Sequence, residues 1–570
     1  MTELREGADP SVPTTEPHTK IVADEIAREL VELGVRTVFG LLGSGNFLVT
    51  EALRQRGVRI VGGRHEGPAL AMADGYARST GTVGVCTVST GPGLTNTVTA
   101  LGEAAKSRTP LLVLAGDVPG RAVRNNFRVD QHGIAEAVGA VAERIHSPGT
   151  AVADTRRAYR RALLERRPVV LNLPTDVQES DVAPVAPLPA LPPAISAPAP
   201  DEQAVASTMA MLAAAERPLI LCGRGAALSG AGPAVEALAD RVGALLATTA
   251  CAHGLYADHR YDLGISGGFS TPLAAELIPQ ADVVLVLGAS LTYWTTRHGT
   301  LIGERSRVIQ VDLEPSVIGA GAPVELGILA DVRATAEAIA ETLEAGNVQR
   351  EGWRTPEIAA RIAERGRWAQ EPFTDAGDDD HIDPRTLTIE VDRHLPAQRA
   401  VAIDSGHFLG FPSTYLEVPD AAAFVFPNAF QSVGLGLGAG IGAAVADPSR
   451  PTVVAVGDGG ALMALGELET IAQLGLPILV LVYNDSSAGA ETHHFGPLGY
   501  PLDIVTFPDV DFAAVARGLG IPAMTVRSPD DLDELEKWSS ALDGPFLVDA
   551  KVHPDVRAHW IEEAFRGDAH

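Results

Sequence analysis

Apolar and polar positions along this chain recur with two periods, one typical of helices and one typical of strands. The two patterns follow each other in turn, which predicts helices and strands in regular alternation. From residue 21 onward the pattern predicts helices at 21–34 and 67–79 and strands at 35–41, 58–62, 82–89 and 110–117. Glycine-rich turns follow several of these strands. Such alternation predicts a parallel sheet covered by helices on both faces.

A proline-rich stretch separates this first unit from two further units. Residues 181–200 contain seven prolines, which exclude a stable helix and predict a semi-rigid linker. Further strands are predicted at 218–223, 281–290 and 307–315 and, in the last third of the chain, at 452–456 and 478–483. We therefore predict an α/β protein with three doubly wound parallel-sheet domains, divided as a flexible arm (1–17), a first domain (18–180), a linker (181–200), a central domain (201–345), a connecting segment (346–384) and a third domain (385–560).

Composition narrows the class of protein. The chain has 570 residues, 46% of them hydrophobic, and a formal net charge of −28, which argues against a nucleic-acid partner because such proteins need a basic face. Its three cysteines lack metal-type spacing, and no segment has the length and apolarity of a membrane span. We expect a cytoplasmic protein without a nucleic-acid or membrane partner.

The third domain carries a candidate metal and phosphate site. A strand at 452–456, a helix at 465–474 and a strand at 478–483 form one βαβ unit, so Asp458 and Asp485 follow strands that end at the same sheet edge. Gly457, Gly459 and Gly460 allow the backbone to approach a bulky anion, and Mg²⁺ is the natural cation between carboxylates and phosphate. A plain glycine turn with a helix-capping Asp is the alternative.

The order of these motifs resembles a known signature. Gly-Asp-Gly, then a helix with Glu467-Leu-Glu-Thr470, then a strand ending in Asn484-Asp485, is similar to the cofactor signature of the thiamine-diphosphate (ThDP) superfamily of acetohydroxyacid synthase, benzoylformate decarboxylase and pyruvate decarboxylase. The resemblance implies that Asp458, Asp485 and the main-chain carbonyl of Ser487 bind Mg²⁺. The family usually has Asn where this chain has Asp485.

The first domain extends the resemblance. Arg64-His65-Glu66, followed by AMADGYAR, is similar to the family segment whose Glu contacts the aminopyrimidine of the cofactor. Glu66 would then donate a proton to the pyrimidine ring and so promote removal of the thiazolium C2 proton. An ordinary Glu in a first helical turn is the alternative. Ser89, Gln131 and His132 are expected on the substrate side, Ser89 also beside the cofactor.

Two more segments of the third domain resemble cofactor contacts. Ser405, Gly406 and His407 stand where the family contacts the diphosphate, Gln431 offers a carbonyl to the exocyclic amine, and Val433 is at the apolar position beneath the bent cofactor. The resemblance covers roughly residues 20–555. It also implies a homodimer or homotetramer, because the family divides each site between two subunits.

The resemblance is consistent with three functions. The first is decarboxylation of a pyruvate-like 2-oxo acid with carboligation of the resulting enamine to an acceptor carbonyl, as in acetolactate synthases. The second is simple decarboxylation with aldehyde release, and the remote third is a non-catalytic regulatory subunit. Glu491, in a predicted loop after Asp485, resembles the acidic residue of pyruvate decarboxylases and is expected to be an acid/base catalyst; a solvated loop Glu is its alternative.

The central domain raises the question of a second cofactor. Residues 223–230 (GRGAALSG) and 288–299 resemble the family domain that binds flavin in the synthases and is otherwise structural. A Gly-x-Gly loop after a strand is a weak dinucleotide signal. FAD is therefore considered as a possible additional cofactor.

Overall fold

The computed structural model describes residues 20–182 and 195–564, which form three parallel six-stranded sheets with interleaved helices. The predicted fold class is confirmed. The predicted arm at 1–17 and most of the predicted linker lie outside the described residues, and the remaining domain limits stay predictions.

The first sheet contains β1 (Thr37–Gly40), β2 (Arg59–Gly62), β3 (Gly84–Val88), β4 (Leu111–Asp117), β5 (Val141–Arg144) and β6 (Pro168–Pro174). Its helices are α1 (Val22–Glu32), α2 (Phe47–Gln55), α3 (Glu66–Thr80), α4 (Pro92–Thr95), α5 (Val98–Lys106), α6 (Gln131–Ala137), α7 (Ala151–Glu165) and α8 (Thr175–Gln178). The strand order is β2-β1-β3-β4-β6-β5. The order reverses between β1 and β3, which opens a crevice at that edge.

The second sheet contains β7 (Pro218–Cys222), β8 (Leu245–Thr248), β9 (Asp262–Ile265), β10 (Val283–Leu287), β11 (Arg307–Asp312) and β12 (Leu326–Leu329). Its helices are α9 (Glu202–Ala214), α10 (Arg224–Leu228), α11 (Gly232–Val242), α12 (Pro272–Leu277) and α13 (Val332–Ala345), and α14 (Pro356–Arg365) follows. The order β12-β11-β10-β7-β8-β9 diverges from the β7/β10 pair, as in doubly wound dinucleotide folds.

The third sheet contains β13 (Ala400–Ile403), β14 (Phe424–Val425), β15 (Thr452–Gly457), β16 (Ile478–Asn484), β17 (Ala523–Val526) and β18 (Phe546–Lys551). Its helices are α15 (Pro384–His394), α16 (Gly410–Tyr415), α17 (Gly436–Ala446), α18 (Asp458–Met463), α19 (Glu467–Leu474), α20 (Gly489–Phe495), α21 (Phe512–Gly518), α22 (Asp533–Ala541) and α23 (Trp560–Ala564). The order β14-β13-β15-β16-β18-β17 repeats that of the first sheet.

Central strands of these sheets read as continuous apolar runs because helices cover both faces. All seven residues of β4 and all seven of β16 are buried. Alternating burial would instead indicate a sheet with one face in water. The sequence runs that predicted buried strands are therefore explained by the layers on both sides.

Helices α3 and α17 cross at very short range and join the first domain to the third. A Cβ on Gly438 would lie 2.5 Å from the Pro68 carbonyl oxygen, and one on Gly442 would lie 2.0 Å from that of Met72. On the opposite side of α17, a Cβ on Gly440 would lie 2.3 Å from Val454 of β15. Glycine is thus required on both sides of α17, and one apolar core runs continuously across the two domains.

Candidate active site

The third domain gathers its predicted site residues at the edge where its strand order reverses. Ser405 follows β13, Asp458 follows β15, and Asp485 follows β16. These positions face one cavity of about 1270 Å³. Its wall includes the predicted cofactor residues Ser405, Gly406, His407, Gln431, Val433, Gly457, Asp458, Gly459 and Gly460, together with Asp485, Ser487 and Glu491.

Asp458 and Asp485 form a buried carboxylate pair. The side chain of Asp458 is 3% exposed, and its Oδ2 atom has no hydrogen-bond partner within the described part of the chain. Burial, and then the neighbouring Asp485 charge, raises the pKa of Asp458 to about 7, and burial raises the pKa of Asp485 to about 6. A divalent cation between them would compensate both carboxylates, so the residues present fit a metal ion.

Two carboxylates do not complete a coordination sphere by themselves. Across residues 20–182 and 195–564, no group of three or more His, Cys, Asp or Glu side chains is arranged to hold a metal ion. The remaining oxygens would have to come from the backbone and from a ligand. Ser487 lies beside Asp485, to whose Oδ1 it donates from its backbone N–H (3.0 Å) and its hydroxyl (3.1 Å), which leaves its carbonyl available.

The two members of the Asn484-Asp485 pair have different surroundings. The Asn484 amide is buried and donates to Asp509 (3.2 Å), to the Val510 carbonyl (3.0 Å) and to Asp549 (3.0 Å). Those bonds hold the end of β16 from behind, while Asp485 borders the cavity. The geometry therefore supports Asp485, not Asn484, as the metal-ligand candidate.

Asp404 is a functional residue that the sequence reasoning missed. It is 1% exposed and accepts backbone N–H bonds from Gly434 (2.9 Å), Leu435 (3.1 Å) and Gly436 (3.0 Å). Burial raises its pKa to about 6. Its position directly after β13 and before Ser405-Gly406 was the available signal, since a carboxylate at a sheet edge can cap a neighbouring helix N-terminus.

The two glycines of α18, Gly459 and Gly460, have different surroundings. A Cβ on Gly460 would lie 2.2 Å from Asp404 Oδ2, so this glycine allows the approach of Asp404. A Cβ on Gly459 would meet nothing within 4 Å, so there is space beside this glycine, although its backbone N–H donates to Asp458 Oδ1 at 2.6 Å. Of the two glycines, Gly460 is therefore required by internal packing and Gly459 leaves space in the cavity wall.

His407 is a buried and neutral member of the cavity wall. Its Nε2 atom accepts the Ala558 backbone N–H at 2.8 Å, so the ring proton is on Nδ1. Burial, and next the adjacent His493, holds the pKa of His407 well below its ordinary value. The two rings lie 4.1 Å apart between centroids. His407 can thus donate a hydrogen bond to an anion but does not bring a positive charge.

Glu491 lies in α20, and the prediction that it occupies a loop is wrong. The segment Gly489–Phe495 is helical because it has few strand-forming residues and packs on the third domain through buried Gly489 and His493. Glu491 is in the first turn, where a negative charge is favourable, and its exposed side chain borders the cavity. Its predicted acid/base role stays a prediction.

The first-domain candidates occupy a different edge. Glu66 is the first residue of α3, is partly exposed and accepts a hydrogen bond from Asn96 Nδ2 at 2.9 Å, so in the single chain it is not held in an apolar pocket. Ser89 follows β3, and its hydroxyl lies 3.4 Å from the Gly45 backbone N–H. Neither residue lines the cavity of the third domain.

Gln131 and His132 also stay outside that cavity. Buried Gln131 donates to the Gly116 carbonyl (3.1 Å) and to Asn172 (2.7 Å), while its Oε1 accepts the Gly91 N–H (2.9 Å). Both amide protons of Gln131 are thus used inside the domain, and its catalytic role stays a prediction. His132 is exposed, with its Nε2 atom 3.2 Å from Glu136.

Exposed apolar side chains occur beside both edges. Leu42, Phe47 and Phe127 are 51%, 53% and 53% exposed on the first domain, and Met463 is 68% exposed at the cavity of the third. Large apolar side chains exposed together are typical of interaction surfaces. The two edges that hold the candidate residues therefore also carry exposed apolar side chains.

A second arm of the cavity reaches the central domain, where the Gly-x-Gly loop has a packing role. A Cβ on Gly223 would lie 2.3 Å from the Gly288 carbonyl oxygen, and one on Gly225 would lie 2.7 Å from the Gly288 Cα. Arg224 between them donates to the Ser107 carbonyl of the first domain. The glycines are explained by contact between two loops and do not point to a flavin.

Two further findings concern the predicted cellular setting. Cys86, Cys222 and Cys251 are all free thiols. None of the described helices has both the length and the apolarity required to cross a membrane.

Three family models match the chain in sequence order. They are the thiamine pyrophosphate enzyme N-terminal TPP binding domain at residues 21–141, the central domain at 205–339 and the C-terminal TPP binding domain at 404–550. Together the three matched ranges contain all of the candidate site residues named above.

Curated relatives include enzymes of several activities. A sulfoacetaldehyde acetyltransferase of Rhodobacter capsulatus is 30% identical over 94% of both chains, and a probable 2-ketoarginine decarboxylase of Pseudomonas aeruginosa is 32% identical over 92% of both. A probable acetolactate synthase large subunit of Methanocaldococcus jannaschii is 27% identical over 93% of this chain and 92% of its own.

A solved structure agrees in fold. The thiamine diphosphate-dependent 4-hydroxybenzoylformate decarboxylase of Rhodococcus jostii RHA1 superposes with a TM-score of 0.78 at 22% identity, covering 94% of this chain and 99% of that chain.

The carboxylate pair makes a first prediction about cofactor binding. Asp485→Ala should weaken ThDP binding in the presence of Mg²⁺ by about 100-fold, because it removes an oxygen ligand, whereas Asp485→Asn keeps one and should bind far more tightly than the Ala variant. Isothermal titration of ThDP at fixed Mg²⁺ measures the difference. Asp509→Asn, at the same strand end but outside the cavity, is the control; equal losses in the Asn and Ala variants would contradict the assignment.

Proposed function

The chain belongs to the thiamine pyrophosphate enzyme family, and on that premise we propose that it decarboxylates a pyruvate-like 2-oxo acid and joins the remaining fragment to an acceptor carbonyl. The observation that carries this proposal is the buried Asp458–Asp485 pair at the cavity that Glu491 also borders. Relatives with acetyltransferase and acetolactate synthase names support the carbon–carbon bond-forming outcome.

The proposal includes ThDP with Mg²⁺ as cofactors. Asp458, Asp485 and the Ser487 carbonyl would hold the metal, and the Nδ1–H of His407, together with the space beside Gly459, would bind the diphosphate. Gln431 and Val433 would contact the aminopyrimidine and the underside of the bent cofactor. When bound, ThDP supplies a carbon nucleophile that adds to the 2-oxo group and accepts the electrons left by CO₂.

Glu491 is proposed to move the protons at the substrate side. Its carboxyl group borders the cavity in the first turn of α20, beyond the carboxylate pair. A carboxylic acid there can protonate either the carbon of the decarboxylated fragment or the oxygen of a newly joined acceptor. Which of the two it serves decides between aldehyde release and carboligation.

We further propose that a second copy of the chain completes each site. Glu66 and Ser89 stand at the edge of the first sheet, outside the cavity that holds the metal-ligand candidates. Both edges carry exposed apolar side chains such as Phe47 and Met463. A homodimer, or a tetramer of such dimers, that set the first-domain edge of one copy against the cavity of the other would cover these side chains and bring Glu66 to the cofactor.

A second candidate is a simple decarboxylase that releases an aldehyde. The relative named as a probable 2-ketoarginine decarboxylase favours this reading, and the acidic residue after Asp485 suits proton delivery to carbon. A non-catalytic regulatory subunit is the remote alternative, against which the retained Glu66, Asp458 and Asp485 argue. FAD stays a prediction, because the cavity wall includes Gly225, Ala289 and Asp312 at the ends of β7, β10 and β11, and the visible absorbance spectrum of the purified protein tests for it. The free cysteines support a cytoplasmic location.

The first test of function measures both CO₂ release and product identity. With ThDP and Mg²⁺ present, we expect CO₂ from at least one member of a panel of 2-oxo acids and, when aldehyde or ketone acceptors are added, more ligated product than free aldehyde. Metal removal by a chelator should abolish both. Aldehyde as the main product despite saturating acceptor would favour the second candidate, and no CO₂ from any acid would favour the third.

Glu66→Gln tests the proposed proton path to the cofactor. The amide cannot relay a proton to the pyrimidine ring, so exchange of the thiazolium C2 proton with deuterium should be lost while the fold is kept. In mixed dimers with Asp458→Ala chains, one site carries both changes and the other none, so each mixed dimer should have about half of the parent activity. Equal amounts of the two variants that reassort at random place about half of the population in mixed dimers, so about a quarter of the parent activity should return on mixing. Parent-like exchange in Glu66→Gln, or no recovery on mixing, would remove Glu66 from this role or the second copy from the site.

Glu491→Gln tests the assignment of the product-determining proton. We expect C2 exchange at the parent rate but turnover slowed by about 100-fold, the range for losing one general acid, together with a changed ratio of aldehyde to ligated product. Rapid-quench product analysis measures both. Glu534→Gln, in the first turn of exposed α22, is the matched control; an unchanged rate and product ratio in Glu491→Gln would leave this residue without a catalytic role.

A further inference from the structure

A buried ion network joins the first domain to the segment that precedes the predicted aminopyrimidine contacts. Arg78 of α3 pairs with Asp74 at 2.6 Å and with Glu103 of α5 at 2.8 Å. The side chains of Asp74 and Glu103 are 3% and 1% exposed. Breaking such a pair by removing one partner is costly, so this network is fixed in the folded chain.

Glu103 uses its remaining hydrogen-bond capacity on the third domain. Its Oε1 accepts the Ala429 backbone N–H at 3.2 Å, and its Oε2 accepts that of Phe430 at 2.6 Å. Arg78 donates in addition to the Phe426 carbonyl at 3.2 Å. If Glu103 served only to balance the charge of Arg78, it would not need to accept hydrogen bonds from the backbone of another domain.

The Phe430 ring adds a second contact with the same face of α5. A Cβ on Gly102 would lie 2.8 Å from the ring, and the Lys106 ammonium lies 5.3 Å from the ring centroid. Gly102, Glu103 and Lys106 thus contact one short segment of the third domain. The contact is specific in position, because both the backbone and the side chain of Phe430 are held.

The held segment leads directly into the predicted aminopyrimidine contacts. Gln431 follows Phe430 and adopts φ 56°, the left-handed region that a non-glycine residue rarely occupies. On the far side, Asp404 accepts the backbone N–H groups of Gly434, Leu435 and Gly436. Residues 431–433 are therefore suspended between two buried carboxylates, one from each domain.

We propose that Glu103 is a positioning residue that fixes the Gln431 carbonyl and Val433 for the aminopyrimidine of ThDP. The two hydrogen bonds of Glu103 fix the backbone just before Gln431, which has the strained φ angle. The bonds to Asp404 fix the backbone just after Val433. This role rests on the proposed function, since it has meaning only if ThDP binds at residues 431–433.

Two substitutions separate positioning from simple loss of stability. Glu103→Gln removes the charge and one acceptor, while Glu103→Asp keeps the charge beside Arg78 but withdraws the carboxylate by one methylene from Ala429 and Phe430. The matched control is Glu29→Gln, which breaks the ion pair of fully buried Glu29 with Arg156 inside the first domain.

ThDP affinity and C2 exchange at saturating ThDP are then measured for each folded variant. We expect both Glu103 variants to bind ThDP at least about tenfold more weakly, as for losing a hydrogen bond to a charged group, and to exchange the C2 proton more slowly even when saturated. Glu29→Gln should match the parent in both while losing thermal stability. Exchange at saturation is informative because a purely structural defect would not change it.

The outcomes distinguish this inference from the proposed function. If the parent chain binds ThDP and exchanges the C2 proton while Glu103→Asp matches it in both, Glu103 is only a domain contact and the inference is overturned. If Glu103→Gln does not fold, Glu103→Asp alone decides. Failure of the parent chain to bind ThDP would overturn the proposed function and this inference together.

Discussion

The close crossing of α3 and α17 is the constraint on which the arrangement of the site depends. The two helices belong to different domains. Their backbones nevertheless approach so closely that a methyl group on Gly442 would overlap the Met72 carbonyl. Small residues permit such an approach, and the burial of apolar side chains around it stabilises it. Because α3 begins at Glu66 and α17 follows residues 431–435, the crossing fixes the distance between the two groups of candidate residues within one chain.

Electrostatics gives the cavity its chemical character. The chain carries a net charge of −28, and the third domain contributes three acidic residues, Asp458, Asp485 and Glu491, to the wall of the cavity. Asp458 is buried and has Asp485 as a charged neighbour, which favours a bound cation, while Glu491 is exposed. Burial thus gives the same type of side chain two different uses at a single edge of the sheet.

The sequence was sufficient for the fold class and for the third-domain half of the site. Buried strands read as apolar runs, and the βαβ rule places Asp458 and Asp485 together whatever the rest of the chain does. It was not sufficient for Asp404 or Glu103, because their partners are backbone N–H groups distant in sequence, and no residue pattern records such bonds. The helix at Glu491 was missed because a short helix defined by packing has no periodic signal. The buried hydrogen-bond network of Gln131 was not foreseen either, because a polar side chain that completes such a network looks, in sequence, like one that contacts a substrate.

The first and third sheets share one strand order, and α3 and α17 occupy equivalent places, each between the second and third strands of its own sheet. Equivalent helices that meet in this way reproduce the contact of a symmetric dimer inside a single polypeptide. In a true dimer every substitution appears twice, so neither half can acquire a role that harms the other. Covalent connection removes that coupling. In this chain the first domain carries the single acid Glu66 at the start of α3, and the third carries Asp458 and Asp485, so two sheets of the same strand order hold different candidate residues, which two identical subunits of one such sheet could not do.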